Sequence, residues 1–170
     1  MEEGVDPAYR VFVSYIDKSR EYYAAQGYEH PYRWAYHRDA PFVRLTLPLA
    51  DSRVGLVTTA TLAAGDDDVD PDDRPAKFAY AAPIDPPPQR LYTADLSWDK
   101  DATHTNDLDS FFPVHRLQEA VAQGRIGSLS PRFYGVPTEY SQRRTREEDA
   151  PAILRMMRED GVAAAVLVGL

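Results

Sequence analysis

Residues 149–170 read DAPAILRMMREDGVAAAVLVGL, and this stretch decides the predicted fold. Asp149 and Pro151 are typical of the first turn of a helix, and apolar residues then recur at helical spacing. Gly161 is a typical helix end, and Val162 to Leu170 carry no charge and predict a strand. A helix that leads through a glycine into a strand is half of a βαβ unit, so we expect an α/β protein.

Further elements extend this pattern towards the N-terminus. Residues 53–61 (RVGLVTTAT) are the best predicted strand of the first half, and residues 90–96 are a second candidate strand. Residues 113–123 predict a helix that Gly124 closes. We therefore expect a small parallel or mixed sheet flanked by helices, an incomplete Rossmann-like or flavodoxin-like half. The final strand is expected at the centre of the sheet if both of its faces are covered.

The chain divides into two predicted regions that together form a single structural unit. Residues 1–40 predict an N-terminal helix, which starts at Asp6-Pro7 and ends at Gly27, followed by an aromatic-rich connection. Residues 41–170 form the predicted α/β domain. A long loop at about residues 64–90, rich in aspartate and proline, interrupts this domain.

Composition limits the classes of function. The net charge is −8, but six aspartates between residues 66 and 73 account for most of it, and without them it would be −2. No basic patch suggests nucleic-acid binding, and no apolar run reaches the roughly 18 residues that span a membrane. The N-terminus, Met1-Glu2-Glu3, is acidic where a secretory signal is basic, so we expect a cytoplasmic protein. The chain contains no cysteine, which excludes disulfides, thiolate metal sites and a thiol nucleophile within these residues.

A polar stretch after the second predicted strand carries candidate functional residues. Asp99, His104 and Asp107 offer two carboxylates and an imidazole, which can bind a hard divalent cation or transfer protons. The alternative is that such a loop only caps a helix. Thr58 and Thr59, at the end of the first predicted strand, can donate hydroxyl hydrogen bonds to a bound carboxylate or phosphate. Ordinary hydrogen bonding at a strand end is the simpler interpretation of these two threonines.

Several segments resemble the selenoprotein B family of glycine, sarcosine, betaine and D-proline reductases, in particular its short proteobacterial-type members. The order and spacing of the segments carry the resemblance, rather than one diagnostic signature. The polar loop from Leu96 to Asp109 is also similar to a His/Asp segment of the family. The other resembling segments are Pro41–Thr59 (PFVRLTLPLADSRVGLVTT), Phe112–Leu129 (FPVHRLQEAVAQGRIGSL) and Asp149–Leu167 (DAPAILRMMREDGVAAAVL).

The resemblance implies an oxidoreductase subunit that reductively cleaves a bond in a small amino-acid-like substrate. In the family a selenocysteine, or a cysteine in its place, is the nucleophile, with a further cysteine a few residues on. That motif follows the strand matching Val162 to Leu170, so the present chain ends before it. We therefore expect the N-terminal portion of such a subunit, inactive alone, with selenocysteine in the missing C-terminal part. A UGA codon directly after the Leu170 codon would explain this end point.

Within the chain itself the resemblance implies binding residues only. In this interpretation, no catalytic residue, metal ligand or cofactor is assigned to the present chain. The residues expected to shape the substrate site are Thr58, Thr59, Asp99, His104 and Asp107.

Two other classes of function stay open. The chain is a non-catalytic binding or accessory subunit if a protein partner, or a second copy, covers the edge formed by Val162 to Leu170. Alternatively, it is a metal-dependent hydrolase or lyase that uses Asp99, His104 and Asp107. The second alternative predicts a bound divalent ion, whereas the first predicts a stable complex.

Overall fold

The computed structural model describes residues 15–28, 38–62, 78–93, 104–136 and 141–169. The chain forms two compact units, Met1–Pro41 and Phe42–Leu170. In the first unit, helix α1 comprises Tyr15–Ala25, and Gly27 follows it with a φ of 83°, a conformation that favours glycine. The predicted start of this helix at Asp6-Pro7 lies outside the described residues.

The second unit contains a five-stranded mixed sheet, which confirms the predicted α/β class. Its helices are α2 (Val114–Ala122), α3 (Gln142–Arg144) and α4 (Ala150–Glu159). Its strands are β1 (Arg53–Thr58), β2 (Tyr80–Pro83), β3 (Ser128–Leu129), β4 (Arg132–Gly135) and β5 (Ala164–Val168). None of the described helices is long and apolar enough to cross a membrane.

Strand β1 is the centre of the sheet. β5 pairs with it in parallel, from Val54 opposite Ala164 to Thr58 opposite Val168. On the other edge of β1, the short strands β3 and β4 lie one after the other, and both are also parallel to it. β2 pairs antiparallel with β4. The order across the sheet is therefore β2, then β4 with β3, then β1, then β5.

Each face of the sheet carries its own core, because successive side chains of a strand point to opposite faces. Leu56 of β1 belongs to a buried cluster with Phe133 and with Val114 of α2. Its neighbour Val57 belongs to a second buried cluster, which includes Ile153 of α4. Helices thus cover both faces, which is the arrangement of a doubly wound α/β fold.

Strand β5 lies at the edge of the described sheet, and the condition for a central final strand, which is cover on both faces, is not met. β5 pairs with β1, and no other described strand pairs with it. Its residues Ala165 and Leu167 are exposed on the α4 side of the sheet, and Leu167 is 75% exposed. A run of uncharged residues predicts a strand, but the composition of the run does not determine how many neighbouring strands it has.

Strand β2 lies inside the segment that the sequence assigns to a loop, so that assignment is wrong for Tyr80–Pro83. The strand is short, and it ends in a proline, which edge strands tolerate because one row of their N–H groups needs no partner strand. In the predicted strand at residues 90–96, the described part contains one isolated bridge, between Tyr92 and Thr61.

The helical stretch before β5 starts earlier than predicted. α3, a π-helical turn at Thr145–Asp149 and α4 follow one another without a break. The stretch begins after Ser141, whose hydroxyl accepts a hydrogen bond from the backbone N–H of Arg144 at 3.3 Å. Pro151 therefore lies inside a continuous helical stretch, in the first turn of α4. It is tolerated there because the preceding π-turn already breaks the regular backbone hydrogen-bond pattern, to which proline contributes no N–H. The predicted end is confirmed, since Gly161 follows with a φ of 68°.

Replacing Gly135 by alanine is expected to lower the free energy of unfolding by about 1–3 kcal/mol. Gly135 pairs with Tyr80 across β4 and β2, and a Cβ at residue 135 would overlap the Tyr80 ring. That ring is held in place, because its hydroxyl donates to the carbonyl of Ala60 at 2.7 Å. Urea denaturation measures the effect. Gly169→Ala is the matched control, since nothing lies within 4 Å of a Cβ there, and equal stability of the two variants would contradict this packing.

Candidate functional site

The parallel strands β1, β4 and β5 all end at the same edge of the sheet, which we call the carboxyl edge. After β1 the chain leads to α2 on one face, and after β4 it leads to α4 on the other. Doubly wound sheets bind ligands in the crevice between two such neighbouring strands. Thr58 and Gly135 are paired at this point. The fold therefore places the candidate site around the end of β1.

The two predicted threonines lie at the carboxyl edge in different environments. Thr58 is 1% exposed, and its Oγ1 accepts a hydrogen bond from the backbone N–H of Ala60 at 3.1 Å. This is the strand-end hydrogen bonding that the simpler interpretation describes. Thr59 is half-buried, and its backbone N–H donates to the carbonyl of Val168 at 3.3 Å.

An apolar groove of about 400 Å³ opens on the α4 side of the carboxyl edge. β1 and β5 form its floor and α4 forms one wall. Leu154 and Leu167 stand at the groove with exposed side chains, at 47% and 75%. Because the lining is almost entirely aliphatic, the groove suits an apolar molecule or the apolar part of one. It is lined by Val57, Thr58, Thr59, Val136, Thr145, Ala150, Ile153, Leu154, Met157, Ala165, Leu167, Val168 and Gly169.

Polar side chains line the α2 side of the same edge, and we call residues 104–109 with Arg90 and His115 the polar rim. Arg90 ties the segment down, because its Nη2 donates to Oδ1 of Asn106 at 2.9 Å. The backbone N–H of Asn106 donates in turn to Nδ1 of His104 at 3.4 Å. His104 and Asp107 are both exposed, whereas Leu108 is buried in the core beside α2.

The closest polar pair of the rim is Asp109 and His115 at the start of α2. Oδ1 of Asp109 accepts a hydrogen bond from the backbone N–H of His115 at 3.0 Å, so the carboxylate caps the helix. Oδ2 of the same carboxylate lies 2.8 Å from Nδ1 of the His115 ring. The pair lies towards the carboxyl edge, since the other end of α2 packs near the amino end of β1, where Ala120 and Val54 share a buried cluster.

A second polar cluster lies at the opposite end of α4, around Asp160. The Asp160 carboxylate accepts hydrogen bonds from Nε of Arg132 at 2.8 Å and from the hydroxyl of Tyr134 at 2.6 Å. The Arg132 guanidinium holds the pKa of this carboxyl below its usual value, and burial raises the pKa of Tyr134 to about 12. Arg132 begins β4, so this cluster lies at the amino end of the strand and fastens α4 to the sheet, away from the carboxyl edge.

No protein-family model, curated protein or solved structure matches this chain. Its function is therefore inferred from the residues and geometry of the carboxyl edge, together with the resemblance of the three segments.

The structure describes four of the five predicted site residues. Thr58 ends β1 and Thr59 follows it, His104 and Asp107 lie in the polar rim, and Asp99 is outside the described residues. His104 accepts a hydrogen bond from the backbone N–H of Asn106, and the carbonyl of Asp107 accepts one from the hydroxyl of Ser110, so both contacts are local. In the described ranges, no group of three or more histidine and acidic side chains is arranged to hold a metal ion. The metal-dependent alternative includes Asp99, so it stays a prediction.

The contact between Asp109 and His115 is not among the features predicted from the sequence. The two residues are six positions apart and separated by a turn and a proline, and no helix or strand periodicity brings such a pair together. The available signal was an aspartate shortly before a predicted helix, because such an aspartate often caps the helix and so comes close to its first residues.

Proposed function

We propose that this chain is the substrate-binding α/β portion of a reductase subunit of the selenoprotein B type. In the full-length protein, a selenocysteine or cysteine that follows Leu170 would supply the nucleophile. The substrate would be a small amino-acid-like molecule held at the carboxyl edge, between the apolar groove and the polar rim. We also propose that the protein acts in the cytoplasm.

The fold supports this proposal through the resembling segments. Pro41–Thr59 contains β1, Phe112–Leu129 contains α2 and β3, and Asp149–Leu167 contains α4 and most of β5. β1 pairs with both of the other strands, so three segments that are far apart in sequence form one continuous part of the sheet. Segments that resemble one family in order and spacing are therefore also adjacent in space.

The observation that carries the proposal is the direction of β5. The strand runs towards the carboxyl edge, parallel to β1, and Gly169 just beyond it lines the apolar groove. A nucleophile placed directly after Leu170 would therefore start beside the groove and close to Thr59. Nucleophile and binding site would meet where doubly wound folds bind their ligands.

The coding sequence after the Leu170 codon gives the first test. We expect a UGA codon there, followed by an open frame that encodes a cysteine within a few residues. A frame that closes with no such continuation would overturn the proposal. It would favour the second candidate, a binding or accessory subunit, which the uncharged and exposed edge of β5 supports.

The extended chain, with cysteine encoded at the UGA position, gives the second test. We expect it to reductively cleave a small amino acid when a dithiol is supplied, whereas the 170-residue chain shows no turnover. Leu154→Arg is expected to raise KM at least roughly tenfold, because it puts a charge into the apolar groove. Arg155→Ala is the matched control, an exposed position on α4 that does not line the groove. Equal KM values for the two variants would contradict substrate binding in the groove.

A further inference from the structure

We propose that Asp109 and His115 form an acid–base pair, which takes a proton from, and returns it to, a small molecule bound at the carboxyl edge. The molecule is of the class that carries an acidic N–H, O–H or C–H group. This inference does not depend on the reductase proposal, because the proton transfer requires neither selenium nor sulfur.

Both oxygens of the Asp109 carboxylate are used, and the second contact indicates which ring nitrogen of His115 donates. Oδ1 accepts from the backbone N–H of His115, and Oδ2 lies 2.8 Å from its Nδ1. An ionised carboxylate only accepts hydrogen bonds, so Nδ1 is the donor in this contact. The neutral ring therefore carries its proton on Nδ1 and keeps the lone pair on Nε2.

Helix capping alone does not explain this arrangement. A cap needs one side-chain oxygen that accepts a backbone N–H, and Oδ1 of Asp109 provides it. The second oxygen orients the imidazole ring, as the carboxylate of a catalytic triad orients its histidine. The carboxylate is also the more covered partner, since its side chain is 24% exposed and that of His115 is 46% exposed. The ring thus has a protected partner on one side and an open side towards solvent.

Among the described residues, Asp109 is the charged partner of the ring. A proton taken up by Nε2 would place the ring cation beside the Asp109 carboxylate, whose Oδ2 lies 2.8 Å from Nδ1. Arg116 also approaches this carboxylate, with Nε 4.0 Å from Oδ2. It is itself paired with Glu119, whose Oε1 lies 2.9 Å from Nη1 of Arg116, so the charge of Arg116 is partly balanced.

The position of the pair gives it access to the candidate site. Ala120, near the end of α2, shares a buried cluster with Val54 near the amino end of β1, so the start of α2 lies towards the carboxyl edge. The pair at this start therefore stands in the polar rim of the edge where Thr58 ends β1 and Thr59 follows it. A molecule with an apolar part in the groove and a polar end towards the rim would lie between the two parts of the site.

The first test measures the position of the proton on the ring. Imidazole nitrogen chemical shifts of the 170-residue chain at neutral pH are expected to show His115 protonated at Nδ1. Asp109→Asn keeps a capping oxygen but turns an amide NH₂ towards the ring, so the Nε2-protonated tautomer should then dominate. Circular dichroism checks that the helix is retained. A wild-type ring protonated at Nε2, or the same tautomer in both proteins, would overturn the proposal.

The second test measures whether Nε2 of His115 acts as a base, with 5-nitrobenzisoxazole as the probe. In this reaction the base takes the proton from the C–H of the isoxazole ring of the probe, the N–O bond breaks, and a cyanophenolate is released, so no other reactant is needed. We expect the wild-type chain to open the isoxazole ring of the probe at least about tenfold faster than His115→Gln or Asp109→Asn. Arg155→Ala, an exposed position on α4 outside the groove and the polar rim, should leave the rate unchanged. Equal rates for the wild type and His115→Gln would overturn the proposal.

Discussion

Replacing Phe133 by alanine is expected to lower the free energy of unfolding by about 3–5 kcal/mol. Phe133 of β4 is fully buried on the α2 side of the sheet. Its ring centroid lies 5.0 Å from that of Phe112 and 6.1 Å from that of Tyr80, in edge-to-face contacts. The substitution would leave a cavity and remove both aromatic contacts. Urea denaturation of the two proteins measures the difference.

Phe133→Leu is the control for this prediction, because it removes the ring but fills much of the volume, and we expect a smaller loss. The substitution to alanine also tests how the site is supported, since Phe112 comes shortly before His115. We expect weaker ordering of the His115 ring in Phe133→Ala, visible in its nitrogen chemical shifts. Stability within about 1 kcal/mol of the wild type would show that this position is not a packed core.

Replacing Asp160 by alanine is expected to lower the free energy of unfolding by roughly 2–3 kcal/mol. The carboxylate accepts hydrogen bonds from Arg132 and from Tyr134, whose side chain is fully buried. Without Asp160 the Tyr134 hydroxyl keeps only the contact with Ser130 at 2.7 Å, and Arg132 loses its closest anion. Tyr134→Phe removes one hydrogen bond and keeps the ring, so it should cost less. A change below about 0.5 kcal/mol in Asp160→Ala would show that the cluster does not fasten α4.

The same cluster makes stability depend on pH in a direction that can be measured. The pKa of Asp160 lies below its usual value of 3.8, mainly because Arg132 hydrogen-bonds to the ionised form. Its contribution is therefore complete above that pH and is lost as the pH falls through the lower, folded-state pKa. The stability difference between the wild type and Asp160→Asn should shrink in acid. Tyr134, with a pKa raised to about 12, should lose its contribution as the pH rises from 10 towards 12.

Periodicity and glycine positions were sufficient for much of the fold. β1, α2 and the end of α4 are set by local patterns, namely a β-branched run, an apolar helical face and a left-handed glycine. The edge position of β5 is not local, because it depends on which strands pair with β1. β2 is also not a local feature, since Tyr80–Pro83 is held by pairing with β4 and by the fit of Tyr80 over Gly135.

The candidate site was less accessible to sequence analysis than the fold. The position of Thr58 and Thr59 at the carboxyl edge follows from the predicted strand, because the end of a parallel strand lies at that edge of the sheet. The pairing of Asp109 with His115 depends on a turn of six residues whose shape no periodicity specifies. The Asp160 cluster joins residues 28 positions apart, on a strand and at a helix end, and only the packed fold brings them together.

The central position of β1 has a consequence for how the chain acquires its structure. The strand pairs only with later parts of the chain among the described residues: Arg53 meets Ser128, 75 residues on, and its side chain reaches the carbonyl of Asp160, 107 residues on. The long chain segments between these residues must close into loops before strand pairing can stabilise the sheet, so we expect slow folding, on the order of milliseconds to seconds. During synthesis, β1 leaves the ribosome early and stays apolar and unpaired until β3 and β4 have been made, and its second edge stays open until β5 follows.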